Sequence, residues 1–332
     1  MIQKSIRILK GLQYPTGLFA ASALNVRTGY NLSWIRDNIY ESLGLEAIKD
    51  YRSLKKTFRA LLDILLKHEY KIDWAIKEKP KHRYQYIHAR YEPLTMEEIW
   101  EEWGNKQNDA IGALLFKIGD LECKDIKIIR DEDDLAILQK VVKYLESIEY
   151  WHDKDNGMWE ENEEVHASSI GACLAGLKKM SRIVDVPAEL IKNGEDSLNK
   201  LLPSESESKD VDLALLSLIY PYNIVSGSQA NAILKNVENR LVREKGLIRY
   251  AGDKYYNNSL GEAQWCMGLV WLAIIYKQLK SPAKYAYYMR KTLSAMNDKG
   301  ELPELYYANT DKHNENSPLG WAQSLFVVAQ TD

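Results

Sequence analysis

The stretch Trp265-Cys-Met-Gly-Leu-Val-Trp-Leu-Ala-Ile-Ile-Tyr276 is apolar on nearly every side. A helix that is apolar all round is buried all round, and this one falls well short of the roughly 18 residues of a membrane span. It therefore runs through the middle of a protein core. Residues 166–183 have the same character on a smaller scale, with Ala167, Ser168, Ser169, Gly171, Ala172, Ala175 and Gly176. Small residues there let neighbouring helices approach closely. Other segments carry a single apolar face. In 52–69, Leu54, Phe58, Leu61, Leu62 and Leu65 fall together, with Lys55, Arg59, Asp63 and Lys67 off that face. In 133–150, Leu138, Val141, Val142 and Leu145 oppose Gln139, Lys140 and Lys143.

The two kinds of helix tend to alternate along the chain, and strand-like alternation is scarce. The pattern predicts about twelve helices, at approximately 2–13, 36–48, 52–69, 107–118, 133–150, 166–183, 187–201, 209–219, 226–242, 259–279, 281–297 and 317–330. An amphipathic outer helix followed each time by a buried inner one predicts six helix hairpins closed into a ring, as a single domain over 1–332. The connections after odd helices, 14–35, 70–106, 151–165, 202–208, 243–258 and 298–316, are mostly long. Those after even helices are mostly short, 119–132 excepted. In an up-down ring the long loops share one rim, and a site is built there. The polar run Ser204 to Lys209 reads as a turn, not a linker.

Composition narrows the function classes. The chain has 332 residues, 45% of them apolar, and a net charge of −3. That balance gives no basic face for nucleic acid and no polyacidic tail. Three cysteines, Cys123, Cys173 and Cys266, lie far apart, which argues against a disulfide framework and fits a reducing compartment. No C-x-x-C or H-E-x-x-H metal signature is present, the first 13 residues hold no signal-length apolar run, and no stretch is apolar enough to span a membrane. The expectation is a cytoplasmic protein with neither nucleic-acid nor membrane partners. Oligomeric state is not readable. There are 9 Trp and 21 Tyr but only 4 Phe. Indoles and phenols pair a flat apolar face with a polar tip, as a sugar ring does. Large helical cores also use them, so both readings stand on composition alone.

The long loops carry the chemistry. The first ends in Tyr30-Asn-Leu-Ser-Trp34-Ile-Arg36-Asp37, where an Arg beside an Asp at a buried helix start needs partners or polar ligand atoms. Capping by Ser33 or Asp37 is the plainer alternative. The second holds His88-Ala-Arg90-Tyr91 and then Trp103-Gly104 through Gln107 and Asp109, a stacking surface followed by directional hydrogen-bonding groups. The third holds Trp159-Glu160-Glu161, where aromatic walls and a second carboxylate raise a Glu pKa, as a general acid requires. Asp153-x-Asp155-x-Gly157 just upstream departs from a calcium loop in its Gly and Glu positions. The fifth holds Arg249, Asp253, Tyr255 and, beyond it, Trp265; the sixth holds Leu302-Pro303-Glu304-Leu305. Glu304 is the natural partner of Glu160. Each motif is weak alone, but five of six loops bring aromatics with carboxylates or Arg to one rim.

Taken together and in this order, these motifs resemble glycoside hydrolase family 15, which includes glucoamylases, glucodextranases, trehalases and the family-like domain of phosphorylase kinase regulatory subunits. The resemblance runs from about Leu18 to Ala329 and closes with Asn316-Ser-Pro-Leu-Gly-Trp321-Ala-Gln323-Ser-Leu325. It implies an all-α fold, the (α/α)6 barrel, and inversion with Glu160 as general acid and Glu304 as general base. It implies substrate contacts from Tyr30, Trp34, Arg36, Asp37, Trp103, Gln107, Asp109, Trp159, Glu161, Arg249, Asp253, Tyr255 and Trp265. Neither metal nor organic cofactor is implied. The chain departs from glucoamylases in reading Pro303-Glu304-Leu305 where they usually read Ala-Glu-Gln, and His166 to Gly171 and Gly261 to Trp265 are closer to the kinase-subunit branch. No starch-binding domain is found and an N-terminal β-sandwich has no room, so a short soluble saccharide is expected rather than raw starch. The expected activity is exo release of β-glucose from malto- or isomalto-oligosaccharides. A regulatory sugar-binding module and a trehalase are the alternatives.

Overall fold

The computed structural model describes residues 1–101 and 103–331. Thirteen helices are found among them: α1 (Ile2–Gly11), α2 (Ile35–Ala47), α3 (Tyr51–Lys67), α4 (Glu69–Glu78), α5 (Asn108–Cys123), α6 (Glu132–Ser147), α7 (Ala167–Met180), α8 (Ala188–Leu201), α9 (Leu216–Ile219), α10 (Gly227–Arg240), α11 (Met267–Gln278), α12 (Pro282–Ser294) and α13 (Gly320–Gln330). Helices α2, α5, α7, α9, α11 and α13 form an inner ring in which each touches the next and α13 returns to α2. The helices α1, α3, α6, α8, α10 and α12 lie outside them. The protein is therefore an all-α (α/α)6 barrel.

Burial follows the sequence pattern. Every residue of α11 from Met267 to Tyr276 is buried, whereas outer α8 buries only Leu190, Gly194 and Leu198. The small residues of α7 serve the closest contact in the ring. A Cβ on Gly112 of α5 would lie 2.2 Å from the Cys173 backbone nitrogen of α7. The α5–α7 interface thus brings two backbones together where no side chain fits.

Four expectations need correction. Residues 70–106 do not form one long loop, because α4 occupies Glu69–Glu78 and packs on α6. The expected helix over 52–69 breaks at His68, whose ring nitrogen Nε2 meets the Met96 carbonyl at 2.9 Å. The expected inner helix over 209–219 shrinks to a 3-10 turn, Leu213–Leu215, and the single turn of α9. Its start is fixed by Asp212, whose side chain accepts from the Ala214 N–H at 2.8 Å, and Pro221 follows closely. Residues 259–266 form a turn, a bend and the short strand Gln264–Trp265 rather than helix. No described helix is long and apolar enough to cross a membrane.

Four two-residue strands tie the rim loops in pairs. β1 (Ser33–Trp34) runs antiparallel to β2 (Arg90–Tyr91), with Trp34 opposite Arg90. β3 (Gln264–Trp265) runs antiparallel to β4 (Leu305–Tyr306), with Trp265 opposite Leu305. The first pair joins loops one and two, and the second joins loops five and six.

Candidate active site

A cavity of about 230 Å3 opens on this rim, at the amino ends of the inner helices. Tyr30, Trp34, Arg36, Asp37, Trp103, Trp159, Glu160, Arg249, Tyr255, Trp265 and Glu304 all line it. Residues from five loops, up to 274 positions apart in the chain, thus meet at one place. The ends of α2, α11 and α13 face the cavity through Asp37, Met267 and Trp321. Amino ends carry partial positive charge, which favours carboxylates there.

Glu160 projects from a tight turn closed by the Asp155–Glu164 bridge. Its backbone lies in the left-handed region at φ 63°, a conformation that costs about 1 kcal/mol for a residue with a Cβ. Asn156 clamps the turn: the Glu161 N–H donates to the Asn156 carbonyl at 3.0 Å, and Asn156 Nδ2 donates to the Glu161 carbonyl at 2.6 Å. Gly104 is required beside it, since a Cβ there would stand 2.6 Å from the Glu160 carbonyl oxygen. Among the described residues the Glu160 carboxyl has one hydrogen-bond partner, Arg36 Nη2 at 3.2 Å. Its side chain keeps 24% exposure, towards the cavity. Desolvation pushes its pKa up to about 7, against the opposing pull of Arg36. Glu160 therefore keeps its proton up to about neutral pH.

Glu304 is fully buried and differently held. Tyr30 Oη donates to its Oε1 at 2.6 Å, and Asn316 Nδ2 donates to its Oε2 at 2.8 Å, with Asn314 Nδ2 on the same oxygen. Burial raises its pKa, and the three donors, Tyr30 first, pull it back. Three donors on one carboxyl stabilise the ionised form, which only accepts. Tyr30 Oη also lies 3.2 Å from Tyr255 Oη, so a phenol pair walls this side.

Two buried arginines are fixed from behind. Arg36 Nη1 donates to Gln107 Oε1 at 2.8 Å and to Asp109 at 3.0 Å. Arg249 forms a two-point bond with Asp253, at 2.7 and 2.6 Å, and reaches Glu161 at 2.8 Å. Its guanidinium lies over Trp265 and Tyr255, 5.0 and 4.9 Å from the ring centroids. A buried charge needs such partners, and their planar geometry fixes where the remaining N–H groups point. Asp37 is the exception. It lines the cavity with no side-chain donor on its carboxylate among the described residues, and burial raises its pKa to about 6 despite Arg36. Trp159 is pinned by its Nε1, which donates to Asp212 Oδ1 at 2.7 Å.

Four of the residues expected to contact substrate, Gln107, Asp109, Glu161 and Asp253, lie outside the lining. They bond the two arginines instead. Glu161 also accepts from Tyr250 Oη at 2.7 Å and Lys209 Nζ at 2.8 Å, which fills its carboxylate. Among the lining residues absent from the candidates, Arg90 is the charged one. Its guanidinium lies 4.5 Å from the Trp103 ring centroid and 5.2 Å from that of Trp34. No local signal marks it. Only the β1–β2 register, which sets Arg90 opposite Trp34, brings it in. Asp153 and Asp155 are used structurally, on Lys106 at 2.8 Å and on Ser169 Oγ at 2.8 Å.

A carboxyl with a raised pKa, a hydrogen-bonded carboxyl and a set of indoles thus surround one small cavity on a helical toroid. Residues 1–331 match the profile of glycosyl hydrolases family 15, and the chain belongs to that family. A glycosidase solved in complex with glucose superposes with a TM-score of 0.85 at 18% identity, covering 99% of this chain and 94% of that one. The glucoamylase of Saccharomycopsis fibuligera gives 0.70 at 15% identity, covering 98% and 93%. In sequence, the probable phosphorylase b kinase regulatory subunit alpha of Caenorhabditis elegans is 25% identical over 372 residues, covering 89% of this chain and 30% of the relative. The chain thus spans about a third of the length of the curated relatives it matches.

Proposed function

We propose that this protein is an inverting, exo-acting α-glucosidase that releases β-glucose from the non-reducing end of short α-glucans. The observation that carries this reading is the difference between its two carboxyls: Glu160 has a pKa raised to about 7 by desolvation, while Glu304 sits under three hydrogen-bond donors in the same cavity. Pairs of carboxyls pushed apart in this way divide acid from base. Glu160 donates its proton to the glycosidic oxygen as the C1–O bond breaks. Glu304 takes a proton from a water whose oxygen bonds C1 from the opposite face. That geometry calls for carboxyls roughly 6.5–9.5 Å apart. Asp37 and the arginines Arg36 and Arg249 meet the glucosyl hydroxyls. Trp34, Trp103, Trp159 and Trp265 shape the pocket and exclude water. A cavity of about 230 Å3 suits one terminal sugar, hence exo cleavage, and glucose is the ligand of the similar solved glycosidase.

A second reading is favoured by the likeness to phosphorylase kinase regulatory subunits: a module that binds a sugar without cleaving it. Glucose release from maltotriose, isomaltose and trehalose, by the native protein and by Glu160→Gln and Glu304→Gln, separates the two. The glucosidase reading expects turnover of at least one sugar and a loss of about 10²–10⁴-fold in each variant. A trehalase would act on the third sugar only. Saturable binding with no release from any of them would favour the regulatory module.

A further inference from the structure

The turn that carries Glu160 has a left-handed residue at each end, Gly157 at φ 61° and Glu160 at φ 63°. The Glu160 N–H donates to the Gly157 carbonyl at 3.3 Å. Such a backbone persists where its surroundings fix it. Behind this turn lies an imidazole. A Cβ on Gly157 would stand 2.8 Å from both Cδ2 and Nε2 of His166, so the ring edge rests directly on the Gly157 backbone. His166 is buried at the start of α7 and lines no part of the catalytic pocket.

Two buried carboxylates attend the ring. His166 Nδ1 lies 3.4 Å from Glu205 Oε1. Glu205 is held in turn by Ser168, whose backbone N–H reaches it at 3.1 Å and whose hydroxyl also donates to it. The second carboxylate is Asp155, whose Oδ2 accepts from the Asn108 N–H and from Ser169 Oγ, each at 2.8 Å. Asp155 Oδ1 and His166 Nε2 are both buried without a hydrogen-bond partner among the described residues, an acceptor and a donor left over in one cluster. Asp155 also opens the Glu160 turn, since its backbone pairs with Glu164 in both directions, at 2.9 and 3.0 Å. Burial by itself would lower the His166 pKa, but Glu205 and Asp155 outweigh it and raise the value to about 9, against a small opposing push from Lys209. The ring is therefore a cation at neutral pH, with an N–H on each nitrogen. The attraction is mutual, for His166 opposes the burial that raises Asp155 to about 7. Lys209 does not take this place, because its Nζ is engaged by Glu161 at 2.8 Å.

We propose that His166 is a positioning residue for Glu160: its imidazolium ties Asp155, at the start of the turn, to Glu205 and α7, and its ring edge fixes Gly157, so that the Glu160 carboxyl is held out into the cavity. It acts through the turn and touches no substrate. The proposal rests on the reading of Glu160 as general acid, and hydrogen exchange tests it separately from catalysis.

The experiment sets a glycosidic substrate, whose leaving sugar needs a proton, against α-glucosyl fluoride, whose fluoride departs without one. The glycoside is whichever of maltotriose, isomaltose and trehalose the native protein cleaves. Both kcat and KM are read in the native protein, His166→Leu, His166→Gln and Glu160→Gln. A displaced acid is expected to lower kcat on the glycoside about tenfold to a hundredfold in His166→Leu, with KM and the fluoride kcat within about twofold of native. Glu160→Gln should show the same selectivity more strongly. His166→Gln, whose amide still donates to Glu205, should recover part of the loss, and it keeps the test open if His166→Leu folds poorly. A loss confined to the glycoside in either His166 variant supports the proposal. An equal loss on both substrates in both variants, or no loss, overturns it. If Glu160→Gln is not selective, or nothing is cleaved, the acid reading fails, and amide exchange decides the positioning role. Faster exchange confined to residues 156–161 in His166→Gln then supports it, and unchanged exchange there overturns it.

Discussion

Glu160 owes its position to three neighbours: Gly104, which makes room for its backbone, Asn156, which clamps its turn, and Arg36, which touches its carboxyl. Gly104→Ala should displace the Glu160 backbone, and a misplaced catalytic group is expected to lower kcat by about 10²-fold with little change in far-ultraviolet circular dichroism. The pH dependence follows from the two carboxyls. Glu160 must be protonated, so kcat/KM falls as pH rises through about 7. Glu304 must be ionised, so activity also falls at the acid side, as its raised pKa is crossed from above. Tyr30→Phe removes a donor that holds the Glu304 pKa down, and the acid limb of the profile should move to higher pH. Stability is linked to the same proton. A carboxyl with a raised folded pKa lends stability that is present at low pH and lost as pH rises through the folded value. Glu160→Gln should therefore be more stable than the native protein above pH 7, by about 1–2 kcal/mol in denaturant titration. Most of the site was legible at this scale because its residues lie in short motifs. Arg90 was not, because a pairing between distant segments places it. Nor was the ranking of Gln107, Asp109, Glu161 and Asp253 behind the arginines, since sequence does not say which of two facing polar groups meets the cavity.

Among the elements, α11 declared itself through unbroken apolarity and α7 through its small residues, and both proved to be inner helices. The close α5–α7 contact makes a sharp prediction. Gly112→Ala puts a methyl carbon 2.2 Å from a backbone nitrogen, and overpacking of that kind should destabilise by about 3 kcal/mol, visible as a lowered Tm. Where elements were misread, the usual boundary signals were missing. The chain breaks between α3 and α4 at His68, with neither Gly nor Pro there to mark the end. Residues 209–219 have helical composition, but Asp212 bonds the Ala214 N–H and holds the segment extended up to that point. That same side chain anchors Trp159, so the shortened inner helix serves the pocket wall.

For the whole molecule, alternation of amphipathic and buried helices was enough to predict a closed ring with its long loops on one rim. What the alternation did not carry was the pairing of those loops by β1–β2 and β3–β4, which settles the shape of the pocket between them. The ring gives the site a rigid floor of helix amino ends and a rim of loops that bring Glu160 and Glu304 to one cavity. In the proposed mechanism the two carboxyls act across a water, one as acid and one as base. The most direct measurement is the anomeric configuration of the first glucose released, read by proton NMR before mutarotation equilibrates it. The account predicts β-glucose from an α-linked substrate, with the signal lost in both Glu160→Gln and Glu304→Gln. Initial release of α-glucose would contradict it.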